Sequence, residues 1–298
     1  MSKISVLINN YNYGKYVGEA IRSVLSQDYP DFELIVVDDG STDDSREVIG
    51  SFHDGRMKIV EKPNGGQLSA FNAGFSASEG EIICFLDADD MYQPGYLAAV
   101  AENFSRYPGC GCLLGRMEFF GARSGFDTLL PAGFLGCAPF SVATRHVWRG
   151  VSTSAISIRR GVAASFLPCP DNENGWKTRA DDLLIWGTEL VGADKYCFPE
   201  PTVKYRIHNS NSFFGSQLSP REYRERQAAA VRFCAWVMKK NDISFVRLAE
   251  IEKLRGNLPF SGRLRSWLKA GKSRMMPLHE YLKCGLLLLP GSSSGTPR

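Results

Sequence analysis

Three carboxylates fall within four positions at residues 87–90, where Asp87, Asp89 and Asp90 follow directly on the apolar run Ile82, Ile83, Cys84, Phe85, Leu86. A short unbroken apolar run reads as a buried parallel strand, and ligands of open α/β sheets sit beyond the carboxyl ends of such strands. Carboxylates crowded within a few Å repel and raise one another's pKa, an arrangement that makes most sense if a divalent cation shares them. That cation in turn suggests a substrate carrying phosphate. Taken alone, an acidic turn ahead of the helix that Pro94 opens is the plainer reading of a D-x-D spacing.

Other polar residues stand at similar places. The apolar stretch 4–8 ends in Asn9, Asn10, Tyr11 and Asn12, and the stretch 33–37 ends in Asp38 and Asp39. Asp181 and Asp182 open a helical pattern, where carboxylates are favoured by the helix dipole and on that ground need no function. Arg206 and His208 close an extended segment over 199–208; a lone His is as readily a surface or core residue as a ligand.

The elements that must position these groups alternate. Strands are predicted over 4–8, 33–37, 57–60 and 82–86, each followed by a helix with apolar residues at i, i+3 and i+4: Val17 to Leu25, then Val48 to Phe52, Leu68 to Phe75, and Leu97 to Phe104. Such βαβ units build a mostly parallel sheet flanked by helices, with the loops bearing Asn9 and Tyr11, Asp38 and Asp39, and Asp87 and Asp89 on one rim. Further strands are expected over 110–120 and 152–158, with Arg159 and Arg160 opening a short helix. Residues 121–149, rich in Gly, Pro and aromatics, read as irregular and substrate-facing.

At 298 residues, 44% hydrophobic and 22% charged, the chain has the composition of an ordinary globular protein. Its net charge of +3 hides an asymmetry: 19 basic against 26 acidic residues through residue 218, then 16 against 6. The second part is helical and basic, which suits contact with an anionic membrane surface, and it contains no nucleic-acid-binding module. The start, MSKISVLINN, lacks the apolar core and cleavage site of an export signal, and the apolar stretch 285–289 is far below the roughly 20 residues of a membrane span. A cytoplasmic protein with a peripheral contact to the inner membrane face is expected. Eight scattered cysteines read as reduced core thiols; Cys110 and Cys112 lack the further close ligands of a zinc site.

Four blocks in order, SVLINNYNYGKYVGEAIRSVLSQDYPDFELIVVDDGSTDDS, NGGQLSAFNAGFSASEGEIICFLDADD, DDLLIWGTEL and YRIHNSNS, resemble the inverting family-2 glycosyltransferases of GT-A fold. The resemblance covers residues 3–110 and, less closely, 150–212. It implies a Rossmann-like α/β sheet and transfer of a sugar, with inversion, from a nucleoside-diphosphate sugar, usually a UDP-sugar, to a sugar or lipid-linked acceptor in cell-surface polysaccharide or glycolipid synthesis. It implies Mn²⁺ or Mg²⁺ as cofactor, held by Asp89 directly, with Asp87 reaching the ribose or the metal through water and His208 at the metal or phosphate. Asp39 would meet uracil, Asn9 and Tyr11 would flank the nucleoside, and Arg206 would lie near the diphosphate. Asp182 matches the general base, with Asp181, standing where relatives carry Glu, as the fallback. Phe71 replaces a cation common in relatives, and Gln67 or the turn at 64–66 would act there instead.

On this reading residues 1–218 form the catalytic domain, with a donor half at 1–110 and an acceptor half at 111–218. A basic helical extension follows at 219–290, then a disordered tail at 291–298. Acceptor choice is expected in 121–150 and 171–179. The competing readings are an inactive nucleotide-sugar-binding subunit and a nucleotidyltransferase of similar layout. The second would need a basic phosphate loop after the first strand, where only Lys15 stands nearby.

Overall fold

The computed structural model describes residues 2–127, 130–170, 176–209, 211, 219–256 and 258–288. Strands β1 (Ile4–Asn10), β2 (Phe32–Asp38), β3 (Met57–Glu61) and β4 (Ile82–Asp87) run parallel in the order β3-β2-β1-β4. Helices α1 (Gly14–Leu25), α2 (Ser45–Gly50), α3 (Gln67–Ala77) and α4 (Tyr96–Arg106) connect or follow them. Strands β1, β2 and β4 are apolar along most of their length because both faces are covered. On α1 the buried stripe is Val17, Ala20, Ile21 and Val24, and on α4 it is Leu97, Val100 and Phe104. Strand β3, at the edge, is only partly buried and carries Lys58 outward, the usual protection of an open strand.

Register places the functional rim. Asn9 lies opposite Asp87 of β4, and Asn10 opposite Asp38 of β2, so the three polar loops open at the same carboxyl edge. Beyond β4 the sheet changes direction. Strand β9 (Ile156–Arg159) is antiparallel to both β4 and β6 (Cys110–Gly121), and β6 pairs in parallel with β10 (Asp194–Ile207). The short β5 (Met91–Tyr92) pairs antiparallel with β10, stitching the segment after Asp90 onto that strand.

Residues 121–127 and 130–149 are more ordered than their composition suggests. They hold β7 (Gly125–Phe126), β8 (Gly133–Gly136) and α5 (Pro139–Arg145). Helix α5 escapes pattern reading because Pro139 through Thr144 are all buried, so no polar stripe marks its period. The strand expected at 152–158 splits into a single 3₁₀ turn, Thr153–Ala155, and β9. Strand β10 begins earlier than expected and shifts register around Pro201, where a missing N–H interrupts the ladder. Helices α6 (Arg160–Ala163) and α7 (Asp181–Leu190) lie between β9 and β10.

The extension consists of α8 (Pro220–Lys240), α9 (Phe245–Arg255), α10 (Phe260–Lys272) and α11 (Leu278–Leu288). A capping box between Ser219 and Glu222 starts α8. These helices share the core of the sheet region, contributing Phe233, Val237, Leu248, Ala270 and Leu288 to one continuous cluster. Buried Glu252 of α9 accepts hydrogen bonds from the Ser141 N–H at 2.8 Å and the Ser141 hydroxyl at 2.7 Å, fixing α9 to α5. All eight cysteines are buried free thiols. Among the described residues no helix is long and apolar enough to cross a membrane. The tail expected at 291–298 and the acceptor-side residues 171–175 lie outside the described residues.

Candidate active site

The acids after β4 differ in environment. Asp87 Oδ1 accepts from Asn9 Nδ2 at 2.8 Å and Gln67 Nε2 at 3.0 Å, and the Asp87 N–H donates to Ser154 Oγ at 3.0 Å. Burial, and after it the neighbouring Asp89, push the Asp87 carboxyl up to about 7. Asp90 is buried beneath the site. Its carboxylate accepts from Ser154 Oγ at 2.5 Å and from the Arg206 N–H at 2.8 Å, so it ties β4 to β10 rather than facing a ligand. Asp89 stands at the cleft, with Oδ2 3.0 Å from His208 Nε2 and 3.4 Å from Asn211 Nδ2.

On the side of β1 and β2, Asp38 is a structural hub. It takes Asn10 Nδ2 at 2.9 Å, the Ser41 N–H at 3.1 Å and Arg46 Nε at 3.0 Å. Asp39 faces the cleft and receives the N–H groups of Gly65 and Gly66, at 3.0 and 2.7 Å, together with the Lys62 ammonium. That clasp shapes the turn at 64–66 ahead of α3. Gly66 has φ +84°, and a Cβ there would stand 2.5 Å from Lys177 Cα. Only glycine lets these two backbones approach, and the Gln67 N–H then donates to the Lys177 carbonyl at 2.9 Å. Tyr11 is half-exposed on the opposite lip.

Gln67 spans the cleft. While its Nε2 donates to Asp87 and to Thr153 Oγ1 at 3.2 Å, its Oε1 accepts the Ala180 N–H at 2.7 Å, one residue before α7. The acid at the head of α7 is thereby held across from the β4 acids. That acid is Asp181, which lines the cleft and whose buried Oδ1 has no hydrogen-bond partner. Burial first, then Asp182 and Asp87, push its carboxyl up to about 8 against the pull of Arg179 and Arg226.

Asp182, the expected base, does not line the cleft. Its carboxylate is turned away from the cleft onto Arg226 of α8, whose Nε and Nη2 reach Asp182 Oδ2 at 3.1 and 2.5 Å; Arg179 stands 3.7 Å from the other oxygen. Successive side chains on a helix diverge by about 100°, which sends the two adjacent acids in different directions. Arg226 is further held over the Trp176 ring at 5.2 Å and donates to the Arg179 carbonyl at 3.0 Å.

Arg206 is held by neighbouring side chains. Its guanidinium lies between the rings of Tyr16 and Phe120, at 4.6 and 4.4 Å, and pairs with Glu19 at 2.7 Å. It is not among the residues lining the cleft; through its Nε it holds the Asp89 carbonyl at 2.9 Å. His208 packs on Tyr16 at 4.8 Å and backs Asp89. Of the expected residues, Asn9, Tyr11, Asp39, Gln67, Asp87 and Asp89 line a single cleft of about 1170 Å³. Sequence reasoning missed Asn211, Thr153, Ser154 and Arg226, which carry no motif of their own. Trp148, Met117 and Tyr205 also line the cleft. The cleft exceeds the roughly 300–1,000 Å³ of common ligand pockets, enough for two substrates together.

Oxygen-rich donors suit hard divalent cations, and the like-charge crowding of Asp87 and Asp89 is the kind a cation relieves. Among the described residues no three acidic, His or Cys side chains close around one point. The pair Asp89 and His208 offers two protein ligands, which fits a cation that completes its shell with phosphate oxygens and water.

Comparison with known proteins places this architecture. The profile of glycosyl transferase family 2 matches residues 5–133. An uncharacterized glycosyltransferase of Nostoc sp. is 35% identical over 239 residues, covering 77% of this chain and 72% of that protein. The chondroitin synthase of Pasteurella multocida is 35% identical over 112 residues, 37% of this chain and 12% of that one. The crystal structure of S. aureus TarS 1-349 in complex with UDP-GlcNAc superposes with a TM-score of 0.66 at 19% identity, covering 96% of this chain and 79% of that chain. Fold and site define a glycosyltransferase of the GT-A type. The chain belongs to glycosyl transferase family 2.

Proposed function

We propose that the enzyme transfers a sugar from a uridine-diphosphate sugar to an acceptor hydroxyl with inversion, and that Asp181 is the general base. The observation that carries this reading is the convergence of Asp39, Asp87, Asp89 and Asp181, from three separate segments, on one cleft. Tyr11 and Asp39 are placed to meet the nucleobase. The Asp39 carboxylate has lone pairs beyond those taken by the turn at 64–66, and one can accept the N3–H of uracil. The superposed S. aureus protein, whose structure was solved with UDP-GlcNAc, supports a donor of this class.

In the reaction the acceptor oxygen attacks the anomeric carbon as the bond to the diphosphate oxygen breaks; the electron pair leaves with the diphosphate. The acceptor proton passes to the Asp181 carboxylate, whose buried Oδ1 takes no hydrogen bond from the protein. A carboxyl poised near about 8 is a stronger base than an ordinary aspartate, which suits it to take a hydroxyl proton near neutral pH. Gln67 positions both walls, binding Asp87 by its amide nitrogen and the backbone before Asp181 by its oxygen. Mn²⁺ or Mg²⁺ held by Asp89 and His208, with Asp87 nearby, would neutralise charge building on the diphosphate. The acceptor would enter beside Trp148 and Ser152 as a sugar or lipid-linked sugar of a surface polysaccharide or glycolipid.

The test is UDP release from a panel of UDP-sugars in the presence of Mn²⁺, with the anomeric configuration of the product read by NMR. Metal-dependent release with an inverted product supports the reading. Donor binding without turnover across the panel and a range of acceptors would instead mark a nucleotide-sugar-binding subunit.

A further inference from the structure

The extension carries a surface that the cleft does not use. On α11, Leu278, Leu282 and Leu286 recur at every fourth position and are 72%, 55% and 75% exposed. The opposite side of the same helix is packed: Tyr281 stacks on Trp267 of α10 at 4.7 Å, and Cys284, Gly285 and Leu288 are buried. Helix α11 is thus apolar on both sides, with one side uncovered. On the neighbouring α10, Leu268 is 52% exposed between Arg265 and Lys272, which point outward with it.

Charge decides what such a face can meet. Residues 259–288 hold six basic side chains and one acidic one, Glu280. A second copy docking by the same face would bring like charges together, which opposes association. An anionic bilayer answers both features, because exposed leucines enter the boundary between headgroups and acyl chains while lysines meet lipid phosphates. An 11-residue helix is about 16 Å long, suited to lying in that boundary and too short to span it.

We propose that α10 and α11 form a docking face for an anionic lipid bilayer, with the Leu278, Leu282, Leu286 ridge inserted and Lys269, Lys272 and Lys283 on the headgroups. The face gives structural form to the basic character of the extension and does not depend on which sugar is transferred.

The full chain is sedimented with vesicles of phosphatidylcholine alone or mixed with phosphatidylglycerol, over a range of salt. The expected result is pelleting with the phosphatidylglycerol vesicles only, weakening as salt rises. The exposed-residue variant L278S/L282S/L286S should lower partitioning about tenfold or more. The variant K269E/K272E, also confined to exposed positions, should lower it and flatten the salt dependence. Three results overturn the proposal: wild-type protein left in the supernatant with both vesicles at low salt; both variants pelleting as wild type does; or a lipid-free dimer in sedimentation velocity that the leucine substitutions dissolve, which would make the face a contact between copies.

Discussion

Arg226 and Asp182 are joined by two hydrogen bonds, at 3.1 and 2.5 Å, across 44 positions of sequence. The bond links the extension to the helix that presents Asp181, so α8 helps orient the cleft wall that carries Asp181. Both side chains are nearly buried, and removing one partner from such a pair leaves the other uncompensated. Arg226→Ala is therefore expected to cost about 3 kcal/mol and to lower the melting temperature by roughly 6–10 °C. Combining it with Asp182→Asn should cost less than the two single changes summed, a coupling measurable by a double-mutant cycle in thermal unfolding. Strict additivity would show that the pair does not act as a unit.

Asp181 and Asp182 should separate cleanly in kinetics. Asp181→Asn removes the proton acceptor and is expected to lower kcat by about 10²–10⁴ with donor affinity retained. A base must be deprotonated to act, so the acid limb of kcat/KM in the wild-type enzyme should rise toward about 8. Asp182→Asn takes away a like charge that raises Asp181 and releases Arg226, which lowers it. The limb should then move to lower pH, with kcat falling far less than in Asp181→Asn. Transfer at the wild-type rate by Asp181→Asn would return the base to another residue.

Asp89 stands alone among the three clustered acids in facing both the cleft and His208. Asp89→Ala is expected to lower UDP release by about 10²–10³ and to weaken Mn²⁺ binding, read from the free-ion electron paramagnetic resonance signal. Chelation of the wild-type enzyme should stop turnover, and added Mn²⁺ should restore it. Unchanged Mn²⁺ binding by the variant would remove Asp89 from the ligand set.

Much of this arrangement is legible in one dimension, and its gaps have physical causes. Apolar runs ending in Asn9 and Asn10 or in acids locate β1, β2 and β4 and their common rim, because strands covered on both faces leave a nearly unbroken hydrophobic signature. Helix α5 is invisible to the same logic since it is buried all round. Which of two adjacent acids faces the cleft depends on where α7 points, and that is set by Arg226, forty-odd residues away. Arg206 looks like a phosphate ligand by its place next to His208, yet two aromatic rings and Glu19 claim its guanidinium. Long-range partners of this kind leave no periodicity to read.

The far edge of the sheet supplies a prediction independent of the cleft. Glu33 of β2 is buried, which by itself would raise its pKa, but the Ser5 hydroxyl, the Glu79 N–H and Lys58 all bond its carboxylate and hold it at about 2. A folded-state pKa below the unfolded value means stability that is present above about 4.5 and lost as pH falls toward about 2. The linkage is worth on the order of 2–3 kcal/mol. Wild-type unfolding free energy should therefore drop over that window, as followed by urea titration at successive pH values. Glu33→Gln is expected to be less stable at neutral pH and to show a flatter acid profile, since the Lys58 ammonium and the Glu79 N–H lose a charged acceptor whatever the pH. A variant as stable as wild type at pH 7, with an unchanged acid slope, would show that the carboxylate is not what binds β1, β2 and the residues preceding β4 at this edge.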